Sequence, residues 1–135
     1  MPVITWKPEF SVNVKAIDEQ HQKLIGMINL LNSAMAEGKG RSVLGEIFNS
    51  LADYASVHFA TEEDLMVRFA YPEYAEHKRE HEKGVRKIAE FKSRFEKGET
   101  ATSIDVISFL TSWLNTHILQ SDKRYGPFFN EKGLV

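Results

Sequence analysis

The chain has 135 residues, of which 42% are hydrophobic and 27% charged, with a formal net charge of -2, and this composition fits one soluble domain with an apolar core. It contains no cysteine, which excludes disulfides, thiolate zinc sites and cysteine-bound iron–sulfur clusters. Its lysines and arginines are scattered along the sequence, which argues against a nucleic-acid partner.

The first 17 residues show no helical period, and Pro2 and Pro8 disfavour a helix there. We expect residues 1–17 to form an arm on the domain surface, anchored by Trp6 and Phe10. This arm has no apolar segment of signal-peptide length, and the chain has no apolar stretch of about 18 residues. The sequence therefore predicts a cytoplasmic protein without a membrane span.

Four segments repeat apolar residues at spacings of three and four, the period of an amphipathic helix. The predicted helices cover approximately residues 18–37, 42–69, 72–97 and 103–121. Gly38, Pro72 and Gly98 lie at their ends, and Gly84 inside the third helix indicates a close packing contact. Because short connections make neighbouring helices antiparallel, we expect an all-α, up-down-up-down four-helix bundle that forms a single domain over residues 1–135.

A tail follows the fourth helix at residues 122–135. Gly126 and Pro127 predict a break in regular structure within this tail. Phe128 and Phe129, which follow the break, are expected to pack against the bundle.

All five histidines fall on inward faces of the predicted helices, and every helix contributes at least one. They are His21, His58, His77, His81 and His117. A single histidine on an apolar face is more often a hydrogen-bonded core residue than a ligand. Five would need five buried partners, because each unpartnered polar group costs about 1–3 kcal/mol. The bundle topology also brings all five to one layer, which favours a metal site.

Spacing places further ligands on the same faces. His58 and Glu62 are four residues apart, as are His77 and His81, so each pair can present both side chains to one centre.

Asp122 follows His117 by five residues, which is about 140° around an ideal helix. It is equally well explained as a solvated residue, unless the helix loosens there. Asp18, three residues before His21, has the spacing either to accept a hydrogen bond from that histidine or to cap the first helix. The remaining nearby acidic residues are expected to be surface charges: Glu63, Asp64, Glu73, Glu76, Glu80 and Glu82.

These ligand types leave the metal open. One zinc ion takes only four ligands, and calcium and magnesium prefer oxygen. Iron, copper, nickel and zinc all accept imidazole and carboxylate, and two ions bridged by carboxylates would use the whole set. The Glu-x-x-His pairs of ferritin-like bundles are absent, because the residues three before the histidines are Asp18, Ala55, Tyr74, Lys78 and Leu114.

The combined pattern resembles the hemerythrin family, most closely its single-domain bacterial form. That pattern is one histidine on the first helix, then His-x-x-x-Glu, His-x-x-x-His and His-x-x-x-x-Asp on the others. All seven positions are filled, and the resemblance covers essentially the whole chain. It implies that His77, His81 and His117 hold one iron ion, that His21 and His58 hold the other, and that Glu62 and Asp122 bridge both.

The resemblance further implies two non-haem iron ions bridged by an oxo or hydroxo group, with O2 as a ligand at one open position. The implied function is reversible O2 binding for storage, transport or delivery to an oxygen-using enzyme. We expect a monomer that is not itself an enzyme. The alternatives are oxygen or nitric oxide sensing, a di-iron oxidase or peroxidase, iron storage and a metal-free bundle.

Four apolar residues near the ligands are candidates to line the open position, although ordinary core packing explains each at least as well. They are Leu24, Phe59, Leu114 and Ile118.

Overall fold

The computed structural model describes residues 4–99 and 102–135, except for the side chain of Thr102. The helices are α1 (Lys15–Ala36), α2 (Gly40–Arg68), α3 (Tyr74–Glu96), α4 (Thr102–Trp113) and α5 (Lys123–Glu131). A π-helical segment, Leu114–Asp122, joins α4 to α5 without a break, and a short 3-10 turn, Pro8–Phe10, lies in the arm. Residues 1–3 of the predicted arm lie outside the described residues.

The helices α1 to α4 form a closed ring in which α1 packs against α2, α2 against α3, α3 against α4, and α4 against α1. The predicted all-α four-helix bundle is therefore confirmed. Within the part of the chain that the structure describes, no helix is long and apolar enough to cross a membrane.

Two apolar clusters fill the inside of the ring and its end. The main cluster lies between the four helices and includes Leu24, Leu51 and Leu110. The end cluster lies beneath the arm and α5, and comprises the buried residues Val12, Val14, Ile17, Met66, Tyr71, Tyr125 and Phe129. Along every helix of the ring, the polar inward-facing residues fall between these two clusters, so apolar layers lie above and below them.

The arm is tied to α1 by Asp18. This carboxylate accepts hydrogen bonds from the Ser11 hydroxyl at 2.5 Å and from the Val12 N–H at 2.8 Å. Helix α1 begins at Lys15, one turn earlier than predicted, so Asp18 is not its N-cap. Because its oxygens are taken up by the arm, Asp18 is also not the partner of His21, and both predicted roles were wrong.

The predicted break at Gly126 and Pro127 was also wrong, because α5 contains both residues. Tyr125 and Phe129 lie four residues apart on the inner face of α5 and are fully buried. Their burial outweighs the local cost of a proline in the helix. Gly126 is needed for a different reason: a Cβ atom there would lie 2.5 Å from the carbonyl oxygen of Val12 in the arm.

Candidate metal centre

Seven polar side chains form a layer between the two apolar clusters, and none is more than 3% exposed. They are His21 on α1, His58 and Glu62 on α2, His77 and His81 on α3, and His117 and Asp122 on the π-helical segment. All seven predicted site residues are thus brought together. Polar groups are this deeply buried only when they are paired or bind a metal.

The π-helical segment explains how Asp122 reaches this layer. An ideal α-helix would turn Asp122 well away from His117, whereas a π-helical turn closes at the fifth residue. The structure places His117 Nε2 3.1 Å from Asp122 Oδ1. The loosening that the five-residue spacing required is therefore present in the helix itself.

The seven residues form two overlapping groups. Within each group, one ligand atom from every residue lies within 4.8 Å of those of the others. The first group has five members: Glu62, His77, His81, His117 and Asp122. The second has four: His21, His58, Glu62 and Asp122. Both carboxylates belong to both groups, which is the arrangement that two adjacent metal ions with shared carboxylates require.

The Nε2 atoms of the histidines converge on these carboxylates. His58 Nε2 lies 2.8 Å from Glu62 Oε1, and His21 Nε2 lies 3.0 Å from Asp122 Oδ2. His21 Nε2 and His58 Nε2 are 3.2 Å apart, close to the ~3 Å expected of adjacent ligands on a metal with bonds of about 2.1 Å.

These contacts are short but are not aligned as hydrogen bonds to the carboxylates. All four oxygens of Glu62 and Asp122 are buried without an aligned hydrogen-bond partner among the described residues. Such orphaned oxygens carry a large desolvation cost unless a cation binds them. The donor set therefore fits a pair of metal ions.

In the metal-free protein, protons supply part of the missing positive charge. Burial disfavours the charged form of His77 and His117, but the short contacts with Asp122 and its negative charge outweigh this cost. The pKa of His77 is raised to about 9 and that of His117 to about 10. Burial would likewise raise the pKa of Glu62, yet the charge of His58 and the short contacts with the histidines lower it well below its ordinary value. The carboxylates are thus held ionised for a cation.

Three polar side chains hold the outward-facing Nδ1 atoms of the histidines. The contacts are His58 Nδ1 with Gln20 Oε1 at 2.6 Å, His81 Nδ1 with Glu63 Oε2 at 2.8 Å, and His117 Nδ1 with Glu80 Oε1 at 3.1 Å. Each partner is the sequence neighbour of one site residue but contacts a histidine of the next helix in the ring. Such contacts orient an imidazole so that Nε2 faces the centre.

The prediction that Glu63 and Glu80 are surface charges was therefore wrong. Their side chains are 22% and 33% exposed, and both contact buried histidines. The bond to His117 and a further hydrogen bond from Ser121 lower the pKa of Glu80 to about 2. Glu63 and Glu80 are next to Glu62 and His81 in the sequence, and this adjacency was the only signal for their role. Asp64 and Glu82 also lie beside these site residues but are exposed, so adjacency alone does not identify a histidine partner.

Aromatic rings cover the larger group from outside. Phe59 stacks on His81 with ring centroids 3.9 Å apart, and Trp113 stacks on His117 at 4.2 Å. A Cβ atom at Gly84 would lie 2.8 Å from the Trp113 ring, so the close contact expected at this glycine is present.

Two clefts reach the histidine layer. The larger, about 770 Å³, lies mainly between α2 and α3 and reaches His81. The smaller, about 380 Å³, lies between α1 and α2 and reaches His58. Of the four apolar pocket candidates, Leu24 and Phe59 line the larger cleft. Leu114 and Ile118 are at most 1% exposed and belong to the main apolar cluster.

Comparisons with known proteins agree with this geometry. Residues 12–129 match the model of the hemerythrin HHE cation-binding domain. The chain is 38% identical over 128 residues to a bacteriohemerythrin of Methylococcus capsulatus, covering 94% of this chain and 97% of that relative. It is 35% identical over 125 residues to a bacteriohemerythrin of Stenotrophomonas maltophilia, covering 93% and 80% of the two chains.

A solved structure of wild-type hemerythrin superposes with a TM-score of 0.83, at 38% identity over 93% of this chain and 96% of that one. The family match spans all seven residues of the buried layer, whose donor set suits a pair of metal ions. The chain therefore belongs to the hemerythrin family of di-iron, oxygen-binding proteins.

Proposed function

We propose that this protein binds O2 reversibly, for storage, transport or delivery to an oxygen-using enzyme, and that it does not transform a substrate. One observation carries the proposal: the buried layer contains two ligand groups of unequal size that share both carboxylates. A site with fewer protein ligands leaves a position for an exogenous molecule.

We infer the following ligand roles from the two groups. His77, His81 and His117 would hold one iron ion, His21 and His58 would hold the other, and Glu62 and Asp122 would be shared by both. Because the group of His21 and His58 offers one protein ligand fewer, an exogenous molecule would bind beside these two histidines. A bound pair of ferrous ions would supply electrons for reversible O2 binding.

The surrounding residues favour release over further reduction of O2. Apolar clusters lie above and below the layer, so water and protons approach it through the two clefts and not along the bundle axis. The two carboxylates inside the layer are held ionised by the histidines, so they are poor proton donors. Breaking the O–O bond requires additional electrons and protons, and this arrangement supplies neither readily. A monomeric state and a cytoplasmic location stay predictions.

Iron binding is expected to strengthen as pH rises from about 6 to 9. A histidine must lose a proton from its ligating nitrogen before it binds a metal. The raised pKa values of His77 and His117, about 9 and 10, mean that the metal-free protein holds these protons at neutral pH. At pH 7, ferrous iron should therefore release roughly two protons per chain, and fewer near pH 9.5.

The measurement is anaerobic titration with ferrous iron in weak buffer, with a pH indicator. The same shifts stabilise the metal-free fold below pH 6.5, and that stabilisation is lost as pH rises through about 9 to 10. Proton release close to zero at pH 7 would show that these histidines are already neutral in the metal-free protein.

The function is tested by loading the protein with ferrous iron under anaerobic conditions and cycling O2 on and off. We expect about two iron ions per chain, and a visible absorption band that appears with O2 and disappears under vacuum over several cycles. Rapid irreversible oxidation would contradict the carrier function. An iron content far below two per chain would contradict the di-iron ligand roles.

A further inference from the structure

Tyr54 on α2 has a buried hydroxyl without a hydrogen-bond partner among the described residues. The residue as a whole is only partly buried, whereas its hydroxyl oxygen is fully buried. A buried tyrosine hydroxyl usually finds a partner, and leaving one unpaired costs about 1–3 kcal/mol. A ligand that is absent from the metal-free protein would explain the unpaired hydroxyl, and the surroundings of Tyr54 fit such a ligand.

The Tyr54 ring stacks on His58, with centroids 5.0 Å apart and planes inclined by 18°. A tyrosine hydroxyl is protonated near neutral pH and can donate a hydrogen bond. This hydroxyl makes an aligned hydrogen bond to neither Glu62 nor Asp122.

Tyr54 also stands between the two clefts. It lines the larger cleft between α2 and α3, and it lines the smaller cleft between α1 and α2 together with His58. Tyr54 therefore lies on both of the routes by which a small molecule can approach the histidine layer.

The position beside His58 matters because His58 belongs to the four-member group. That group has fewer protein ligands than the group of His77, His81 and His117, and so has room for an exogenous ligand. An unpaired donor next to the incomplete half of the centre is suitably placed to bind that ligand. If Tyr54 only packed against apolar neighbours, a phenylalanine ring without a hydroxyl would serve equally well.

We propose that the Tyr54 hydroxyl donates a hydrogen bond to the small ligand, dioxygen or a small anion, that binds beside His21 and His58. Tyr54 is then a ligand-positioning residue that slows ligand release. The part of this inference that concerns O2 rests on the proposed function. The part that concerns a small anion requires only an iron-loaded centre.

A second tyrosine provides a matched control. The Tyr125 hydroxyl is also buried without an aligned partner and lies near Glu62, but its ring lies 5.6 Å from that of His77, in the five-member group. Tyr125 packs in the end cluster with Phe129 and lines neither of the two clefts. Tyr125→Phe removes a comparable hydroxyl from the other side of the centre.

The experiment compares wild type, Tyr54→Phe and Tyr125→Phe, each loaded to the same iron content. O2 release is followed by stopped-flow absorbance, and azide affinity is measured on the ferric protein. Loss of one hydrogen bond should make O2 release about three- to tenfold faster in Tyr54→Phe and weaken azide binding by a similar factor. Because the Tyr125 hydroxyl lies near Glu62, Tyr125→Phe is the control for the D2O shift of bound azide described next, and not for the release rate or the azide affinity.

Two further measurements distinguish a hydrogen bond from Tyr54 to the ligand from a purely structural role of Tyr54. If Tyr54 donates to the ligand, the infrared stretch of bound azide shifts between H2O and D2O in wild type and Tyr125→Phe, but not in Tyr54→Phe. The metal-free Tyr54→Phe variant should melt no lower than wild type, because the hydroxyl has no protein partner to lose.

Release rates and azide affinities in Tyr54→Phe within twofold of wild type, with the D2O shift retained, would overturn the role of Tyr54 and leave O2 carriage intact. If the wild type does not cycle O2, the proposed function fails, and the azide measurements still decide whether Tyr54 contacts a bound ligand.

Discussion

Replacing Glu62 by alanine is expected to reduce the iron content from about two per chain to below one and to abolish the O2-dependent absorption band. Glu62 is fully buried on α2 and is one of the two residues shared by both ligand groups. Its removal takes one anionic ligand from each ion and leaves two cations with one carboxylate between them. Loss of an outer partner of a metal ligand already costs about 10–100-fold in affinity, so loss of a shared ligand should exceed about 100-fold.

The metal-free protein offers an independent check on this prediction. Burial disfavours protonated His77, and the charges of Asp122 and Glu62, which both contact its Nε2 atom, overcome that cost. Without Glu62, the pKa of His77 should fall from about 9 toward 6.5, which NMR titration of the imidazole protons measures. Glu62→Gln keeps the side-chain volume and should also lose iron, which separates charge from packing.

Asp64→Ala is the control, since this residue lies on the same helix and is exposed. It should bind iron as wild type does. Iron content near two per chain and a normal O2 band in Glu62→Ala would remove Glu62 from the ligand set and leave Asp122 as the one shared carboxylate.

The bundle and six of the seven residues of its buried layer could be predicted because the underlying signals are local and periodic. Apolar spacing determines which face of each helix turns inward, and short connections determine the direction of each helix. Together these rules bring the five histidines to one level. The contribution of Asp122 could not be derived in this way, because it depends on a π-helical segment that departs from the regular period.

The outer partners of the histidines lay beyond sequence reasoning for a related reason. Gln20, Glu63 and Glu80 each flank the inner face of a helix, where many solvated residues also lie. Whether such a side chain reaches a histidine of the next helix depends on interhelical distance, which one sequence does not specify. Tyr54 is similar: it precedes His58 by four residues and so shares its helix face, but only the packed structure shows that its hydroxyl has no partner among the described residues.

Gly126→Ala is expected to destabilise the metal-free protein by about 2 kcal/mol. The added Cβ atom would lie 2.5 Å from the carbonyl oxygen of Val12 and 3.4 Å from its carbonyl carbon. Overpacking costs about 1–3 kcal/mol, and the upper end applies here because backbone, rather than a flexible side chain, must move. Alanine recovers about 1 kcal/mol in helix propensity, which leaves the expected net loss.

The arm cannot easily yield to this contact. Val12 is 2% exposed, and its N–H donates to Asp18, so the clash forces a choice between breaking that hydrogen bond and shifting α5. A shift of α5 would disturb fully buried Tyr125 and Phe129, which lie on either side of Gly126 in the end cluster. The arm and the end of the bundle therefore lose stability together.

Thermal unfolding of the metal-free protein measures the effect, with Gly26→Ala as the matched control. Gly26 also lies inside a helix, but no atom lies within 4 Å of its added Cβ, so alanine there should stabilise the protein by up to about 1 kcal/mol. A loss of 2 kcal/mol corresponds to a fall in Tm of roughly 6–8 °C at this chain length. If both substitutions raise Tm equally, the close approach of Val12 does not require glycine at position 126.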